Sequence, residues 1–196
     1  MGTKILALAL CMGVLAGTAA AQQGSKPAVQ SHGLQVAVTF VPERAKFSGG
    51  NCGCFWLAGG GLQIERTFQR GWSGVAEFTG THAASVPAGY TGLDLYTVTA
   101  GPRYTWRQAH SLYGFFGQAL AGGGFGRNGV FPQSSGATSS SASSVALKVG
   151  GGLNGDVAPR LTWRMVEANW LYTRLDNAGT NQQHTLQLET GLVYHF

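Results

Sequence analysis

The sequence predicts an all-β protein, an eight-stranded antiparallel up-and-down transmembrane β-barrel, and three observations carry that prediction. Eight segments alternate apolar and polar residues with a period of two. The connections between them alternate short and long. Charge is scarce, yet no long apolar run compensates for it. Charged residues are 11% of the chain against about 25% in an ordinary soluble domain, and glycine, 31 of 196, is about twice its usual share. Such a composition suits a barrel whose strands show one face to lipid and the other to a polar interior.

The N-terminus comes first. Lys4 precedes an apolar run from Ile5 to Gly17, and the small residues Thr18, Ala19, Ala20 and Ala21 follow. That is the anatomy of a secretory signal peptide, residues 1–21, cleaved after Ala21. Cys11 interrupts the apolar run and follows Leu10, where a lipoprotein would need a small residue, so lipidation is the minor reading. Residues 22–33 are polar and read as a periplasmic tail, and residues 34–196 as the barrel. No other apolar stretch is long enough for a spanning helix.

Strands are expected near 34–41, 57–68, 72–82, 93–106, 112–124, 144–157, 161–174 and 184–196. The fourth is the clearest. Tyr96, Val98, Ala100, Pro102, Tyr104 and Trp106 share one face, and Thr97, Thr99, Gly101, Arg103 and Thr105 the other. The first sets Leu34, Val36, Val38 and Phe40 against Gln35, Ala37 and Thr39. The last sets Leu186, Leu188, Thr190, Leu192, Tyr194 and Phe196 against Gln187, Glu189, Gly191, Val193 and His195. Segments of this length match the 9 to 11 or so residues that a tilted strand needs to cross a bilayer.

Short connections fall near 69–71, 107–111 and 158–160, and long ones near 42–56, 83–92, 125–143 and 175–183. The short turns would lie on the periplasmic side with both termini, and the long loops outside the cell. The Ser-rich stretch 125–143 reads as a mobile loop.

The chain ends on Glu189, Gly191, Tyr194 and Phe196 in the spacing polar-x-Gly-x-x-aromatic-x-aromatic. This resembles the C-terminal signal of bacterial outer-membrane barrels. With the eight segments, residues 34–196 resemble the OmpA-like and opacity-protein class of small outer-membrane barrels. Gly101-Pro102-Arg103-Tyr104, Gln118-Ala119-Leu120 and Cys52-Gly53-Cys54-Phe55 are similar to features of one bacterial subgroup of that class. The resemblance implies an outer-membrane location in a Gram-negative-type bacterium. It implies outer-membrane lipids and the barrel-assembly machinery as partners, the latter through Gly191, Tyr194 and Phe196, and it implies no enzymatic activity. No peptidoglycan-binding domain follows Phe196, so the anchoring role of longer members is not expected.

If the apolar face meets lipid, Glu65, Glu77, Arg103, Lys148, Glu167 and Glu189 point inward. An eight-stranded barrel has room only for side chains. These charges are therefore expected to pair across the lumen and plug it, which disfavours a narrow pore. The register near Arg164 is ambiguous, because strict alternation puts it on the face of Val166, Ala168 and Trp170.

Other candidates are weaker. Gly124-Phe125-Gly126-Arg127-Asn128-Gly129 matches a dinucleotide fingerprint but precedes no helix, so chance explains it in a Gly-rich chain. Cys52 and Cys54 could form a small disulfide, bind a soft metal or remain thiols; a loop disulfide is favoured, because zinc wants four ligands. His32, His82, His110, His184 and His195 are scattered and read as solvated. A lipid-modifying hydrolase would need serine, histidine and carboxylate together at the membrane rim. The adjacent pair His110-Ser111 falls in a periplasmic turn. No cofactor or metal site is expected. The +5 net charge is dispersed, without the basic, aromatic-interleaved cluster that nucleic-acid binding uses. A soluble lipocalin-type barrel would reverse the two faces, and the aromatics Trp72, Tyr104, Trp106, Trp170, Tyr172, Tyr194 and Phe196 at strand ends argue for interfacial girdles instead. The leading expectation is a structural or adhesive surface barrel whose outer loops meet an extracellular ligand.

Overall fold

The computed structural model describes residues 33–46, 54–84, 92–132, 137–175 and 181–196. The signal peptide, its cleavage point and the tail before residue 33 lie outside the described residues. Eight strands form a closed antiparallel barrel in chain order: β1 (Leu34–Lys46), β2 (Cys54–Gln69), β3 (Trp72–Ala83), β4 (Leu93–Arg107), β5 (Tyr113–Pro132), β6 (Thr138–Ala158), β7 (Leu161–Thr173) and β8 (Gln183–His195). β1 closes on β8 through pairs such as Val38↔Leu192, and the Phe196 amide donates to the Leu34 carbonyl at 3.0 Å. Closure leaves no strand edge, which is what a sheet in lipid requires.

Both termini and the three tight turns share one end of the barrel, here the short-turn end. At the β2–β3 turn Gly71 has φ +87°, and a Cβ there would meet the Thr105 carbonyl oxygen at 2.7 Å. Only glycine satisfies both conditions cheaply. The other end is the long-loop end.

Alternation decides what faces where. Val38, Phe40, Leu62, Ile64, Phe78, Val98, Val149, Leu186 and Leu192 are exposed on the outer wall, while Thr39, Gln63, Glu77, Thr99, Lys148, Gln187 and Glu189 are buried inside. An apolar belt of this extent is stable only against lipid. Exposed and half-buried aromatics rim it at both ends. Trp72, Tyr104 and Trp106 stack edge-to-face near the short turns with centroids 5.0 and 4.6 Å apart, as do Tyr194 and Phe196 at 5.0 Å. Trp170, Tyr172 and His184 cluster near the long loops. The lipocalin arrangement, apolar inside and polar outside, is the reverse of this one.

Two expectations need correction. Residues 125–143 are not a long loop: β5 runs on to Pro132 and β6 starts at Thr138, with Phe125↔Ser143 and Arg127↔Ser141 paired. Serine is compatible with strand once its amide is in a ladder, and composition alone had suggested mobility. Likewise 42–56 shrinks, because β1 continues to Lys46 and β2 begins at Cys54. Pro42 sits inside β1 opposite Ala58, where the β1–β8 register skips Val41 and Pro42, so its missing N–H disrupts only that side.

Candidate functional site: the barrel interior and the long-loop end

The interior is built from side chains that alternation turns inward. Arg103 on β4 is 1% exposed and lies beside β3 and β5. Its Nη1 donates to Glu65 Oε2 at 2.6 Å, its Nε to Gln118 Oε1 at 2.9 Å and its Nη2 to Gln63 Oε1 at 2.8 Å. Lys148 on β6 reaches across to Glu77 on β3 and to Glu189 on β8, the latter at 3.4 Å. Glu189 also accepts from Thr39 Oγ1 at 3.0 Å and from Asn169 Nδ2 at 3.2 Å. Glu167 accepts from Gln118 Nε2 at 2.6 Å and from Asn169 Nδ2 at 2.8 Å, and lies 3.0 Å from Arg164 Nη1. The structure thus brings all six charged residues singled out by alternation into one buried network.

Arg164 joins them through a backbone irregularity. In the β6–β7 register Leu153 faces Val166 and Asn154 faces Arg164, so Met165 is left without a partner; β7 slips against β8 between Arg164 and Glu167. This extra residue is a β-bulge, and it resets the alternation so that Arg164 and Glu167 both point inward. Phe116 lies under both guanidinium groups, with Arg103 Cζ 4.3 Å and Arg164 Cζ 5.0 Å from the ring centroid. Gln63 Oε1 accepts from both arginines, and Gln63 Nε2 donates to Glu77 Oε2 at 2.9 Å. Neutral Gln63, Gln118 and Asn169 are therefore the hubs, and a reading that followed formal charge passed over them. For two of them the signal was present: Gln63 shares the inward face of Glu65, and Asn169 that of Glu167, each two residues away. Glu43 was missed for another reason, because its segment read as a loop.

Carboxylate oxygens of Glu77, Glu167 and Glu189 lie within 4.8 Å of one another. The Lys148 ammonium contacts two of the three and already supplies cationic charge there.

Toward the long-loop end the interior becomes apolar. Leu57, Ala83, Leu95, Phe131, Ala146, Leu171 and Leu175 form one buried cluster. Phe131 comes from the far part of β5, past a register slip after Arg127 in which Asn128 takes φ 57°. The Asn128 amide donates to Asp94 Oδ2, while Asp94 Oδ1 meets His82 Nδ1 at 2.6 Å. Outside this cluster, Phe125, Arg127, Asn128, Phe131 and Ser140 to Ser143 line a cleft of about 620 Å³ on the β5–β6 hairpin.

The remaining candidates are placed as follows. His82 pairs with Asp94 at the outer rim, His184 stacks on Trp170 at 5.3 Å, and His195 Nε2 lies 2.8 Å from Thr162 Oγ1. His82 and His184 are exposed, as the solvated reading expects, and His195 is half-buried. His110 sits in the β4–β5 turn at φ 65°. No serine or threonine hydroxyl bonds to His82 among the described residues. Gly124–Gly129 lies within β5, and no helix follows among the described residues. Cys54 opens β2, and Cys52 lies outside the described residues, as does their expected bond. Gly191 faces Thr39 across the closing pair, and a Cβ there would collide with the Val38 carbonyl oxygen, so this glycine has a packing role whatever else it does. Phe196 is exposed at the short-turn end.

Closure, in-order pairing, a polar interior and a belted exterior are now all established. The fold is that of small outer-membrane barrels. Among solved structures, Neisserial surface protein A (NspA) superposes with a TM-score of 0.62 at 17% identity, covering 83% of this chain and 97% of its own. Ail, the attachment invasion locus protein of Yersinia pestis, crystallised with the heparin analogue sucrose octasulfate, gives 0.55 at 21% identity, covering 84% and 99%. No family model matches the chain, and no curated protein sequence does.

Proposed function

We propose that this chain is a non-enzymatic surface barrel of the outer membrane whose long-loop end faces outward and binds an extracellular polyanionic glycan. The observation that carries the reading is the β5–β6 hairpin. On β6 the outer face changes from Val145, Leu147 and Val149 to Ser139, Ser141 and Ser143, so the apolar belt ends there while the paired strands continue. The hairpin therefore stands clear of the lipid and presents its cleft to solvent. Arg127 lines that cleft, and Arg44 and Arg174 are exposed at the same end. The described acid there, Asp94, is engaged by His82 and Asn128. That balance favours a polyanion, in keeping with the sulfated ligand carried by the Ail crystals.

The lumen in this reading is closed to ions, because packed charged and apolar side chains occupy it in two layers. Delivery to the membrane follows signal-peptide cleavage after Ala21, and insertion depends on the terminal Gly191, Tyr194 and Phe196.

The test is binding of the purified barrel, in lipid nanodiscs, to immobilised heparin and to neutral dextran. Heparin binding that weakens with salt and with a combined Arg44→Ala, Arg127→Ala, Arg174→Ala variant is expected. Equal retention on dextran, or no retention on either, would overturn the glycan assignment. Absence of the folded protein from the outer-membrane fraction of cells would overturn the location.

A further inference from the structure

Exposed arginines gather at the short-turn end: Arg66 on β2, Arg70 in the β2–β3 turn, Arg107 at the close of β4 and Arg160 in the β6–β7 turn. Among the described residues the exposed acid at that end is Asp156, and Arg107 holds both of its carboxylate oxygens. Arg66, Arg70 and Arg160 form no ion pair among the described residues. Three uncompensated cations therefore ring this end of the barrel.

Arg66 shows what they face. Along the outer wall of β2, Leu62, Ile64, Arg66 and Phe68 follow one another at every second position, and the other three are exposed and apolar. Leu34 on β1 and Gly74 on β3 flank Arg66 in register, so neither neighbouring strand offers it an anion. A guanidinium in the last rows of a lipid-facing wall finds its countercharge among the headgroups. Tryptophans mark the level of that boundary. Trp72 lies two residues after Arg70, Trp106 directly before Arg107 and Trp163 three after Arg160, all three exposed. Indole rings settle at the membrane–water interface, which sets the arginines beside them at the depth of the phosphates. A partner lying wholly in the aqueous space would not reach Arg66.

We propose that this rim binds anionic phospholipids of the leaflet on the short-turn side, with Arg66, Arg70 and Arg160 each taking headgroup phosphate oxygens. The planar guanidinium fork matches a phosphate, and it is the residue type suited to that contact. Zwitterionic phospholipid carries a phosphate too, but its ammonium cancels the charge. The field of three free cations therefore favours the lipid with a net negative headgroup. The inference rests on the chain being a membrane barrel and is independent of the glycan reading, whose arginines lie at the opposite end.

The experiment reconstitutes the full barrel in vesicles of phosphatidylcholine and phosphatidylglycerol, with one lipid or the other brominated on its acyl chains so that it quenches tryptophan. Trp56→Phe with Trp170→Phe leaves Trp72, Trp106 and Trp163, all at the short-turn end, as reporters. Phosphatidylglycerol is expected to associate about fivefold more strongly than phosphatidylcholine, the scale of one arginine at an anionic headgroup, and salt should erode the preference. Combined Arg66→Gln, Arg70→Gln and Arg160→Gln should abolish it, and lysine at the same positions should retain most of it. The Arg44→Ala, Arg127→Ala, Arg174→Ala variant should retain it in full, which separates this rim from the glycan site. Should the triple glutamine variant not close, Arg160→Gln alone, in an exposed turn, is expected to weaken the preference. The proposal is overturned by equal quenching from the two lipids in the reporter protein, by a preference that outlives the glutamine replacements, or by its loss in the variant of the opposite end.

Discussion

Arg164 and Glu167, three residues apart on one strand, both face the barrel interior and meet at 3.0 Å. Strict alternation forbids this, and the unpaired Met165 permits it. Deleting Met165 should therefore be tolerated, since both side chains stay inward in a regular strand. Deleting Ala168, three positions beyond Met165, should not be. It forces either Glu167 or Asn169 onto the lipid face, because a shift by one residue flips every side chain beyond it. Gel mobility before and after boiling reports closure of each deletion variant. Failure of the Met165 deletion to close, with success of the Ala168 deletion, would remove the bulge explanation.

Removing one member of a buried ion pair strands the other. Lys148 is wholly buried between Glu77 and Glu189, and Arg103 is bonded to Glu65. Lys148→Ala or Arg103→Ala should each destabilise the barrel by about 3–5 kcal/mol. Lys148→Met with Glu77→Gln should cost much less than Lys148→Ala alone, because fewer unpaired charges remain. Urea unfolding of the barrel in phospholipid vesicles measures all three, and unchanged midpoints for both alanine variants would show that these side chains meet water.

At the long-loop end, structure and exposure separate along one hairpin. An epitope placed between Pro132 and Ala137 should leave folding intact and be reached by antibody on intact cells, since connections beyond the strands contribute few packing contacts. Phe131→Ala should cost about 3 kcal/mol, because the ring is buried against Leu57, Leu95 and Leu171. Antibody access only after the outer membrane is breached would invert the topology.

Phe196 separates assembly from stability. Its ring is exposed and touches Tyr194 edge-on at 5.0 Å, a contact worth about 0.5–1.5 kcal/mol. Deleting it should barely shift the unfolding midpoint in detergent, yet sharply lower the amount of folded barrel in the outer membrane of cells. Near-normal levels in cells would reduce the terminal aromatic to an interfacial anchor.

The sequence by itself determined strand number, the lipid and lumen faces, the short-turn end and the inward set Glu65, Glu77, Arg103, Lys148, Glu167 and Glu189. All of these follow from a period of two and from turn residues, which are local properties of a chain confined to one extended conformation. Tertiary structure decided the rest. The β5–β6 extension depends on two serine- and glycine-rich segments finding each other, and propensity in either one is too weak to announce it. The inward turn of both Arg164 and Glu167 depends on an extra residue whose place is fixed only by its neighbours' ladders. Gln63 became the hub between two arginines, and Glu43 a buried acid outside the described ion pairs, because closure carried strands distant in sequence to opposite sides of one narrow lumen. Alternation names the face a side chain occupies, but partners across a barrel are set by stagger and closure, which are properties of the whole sheet.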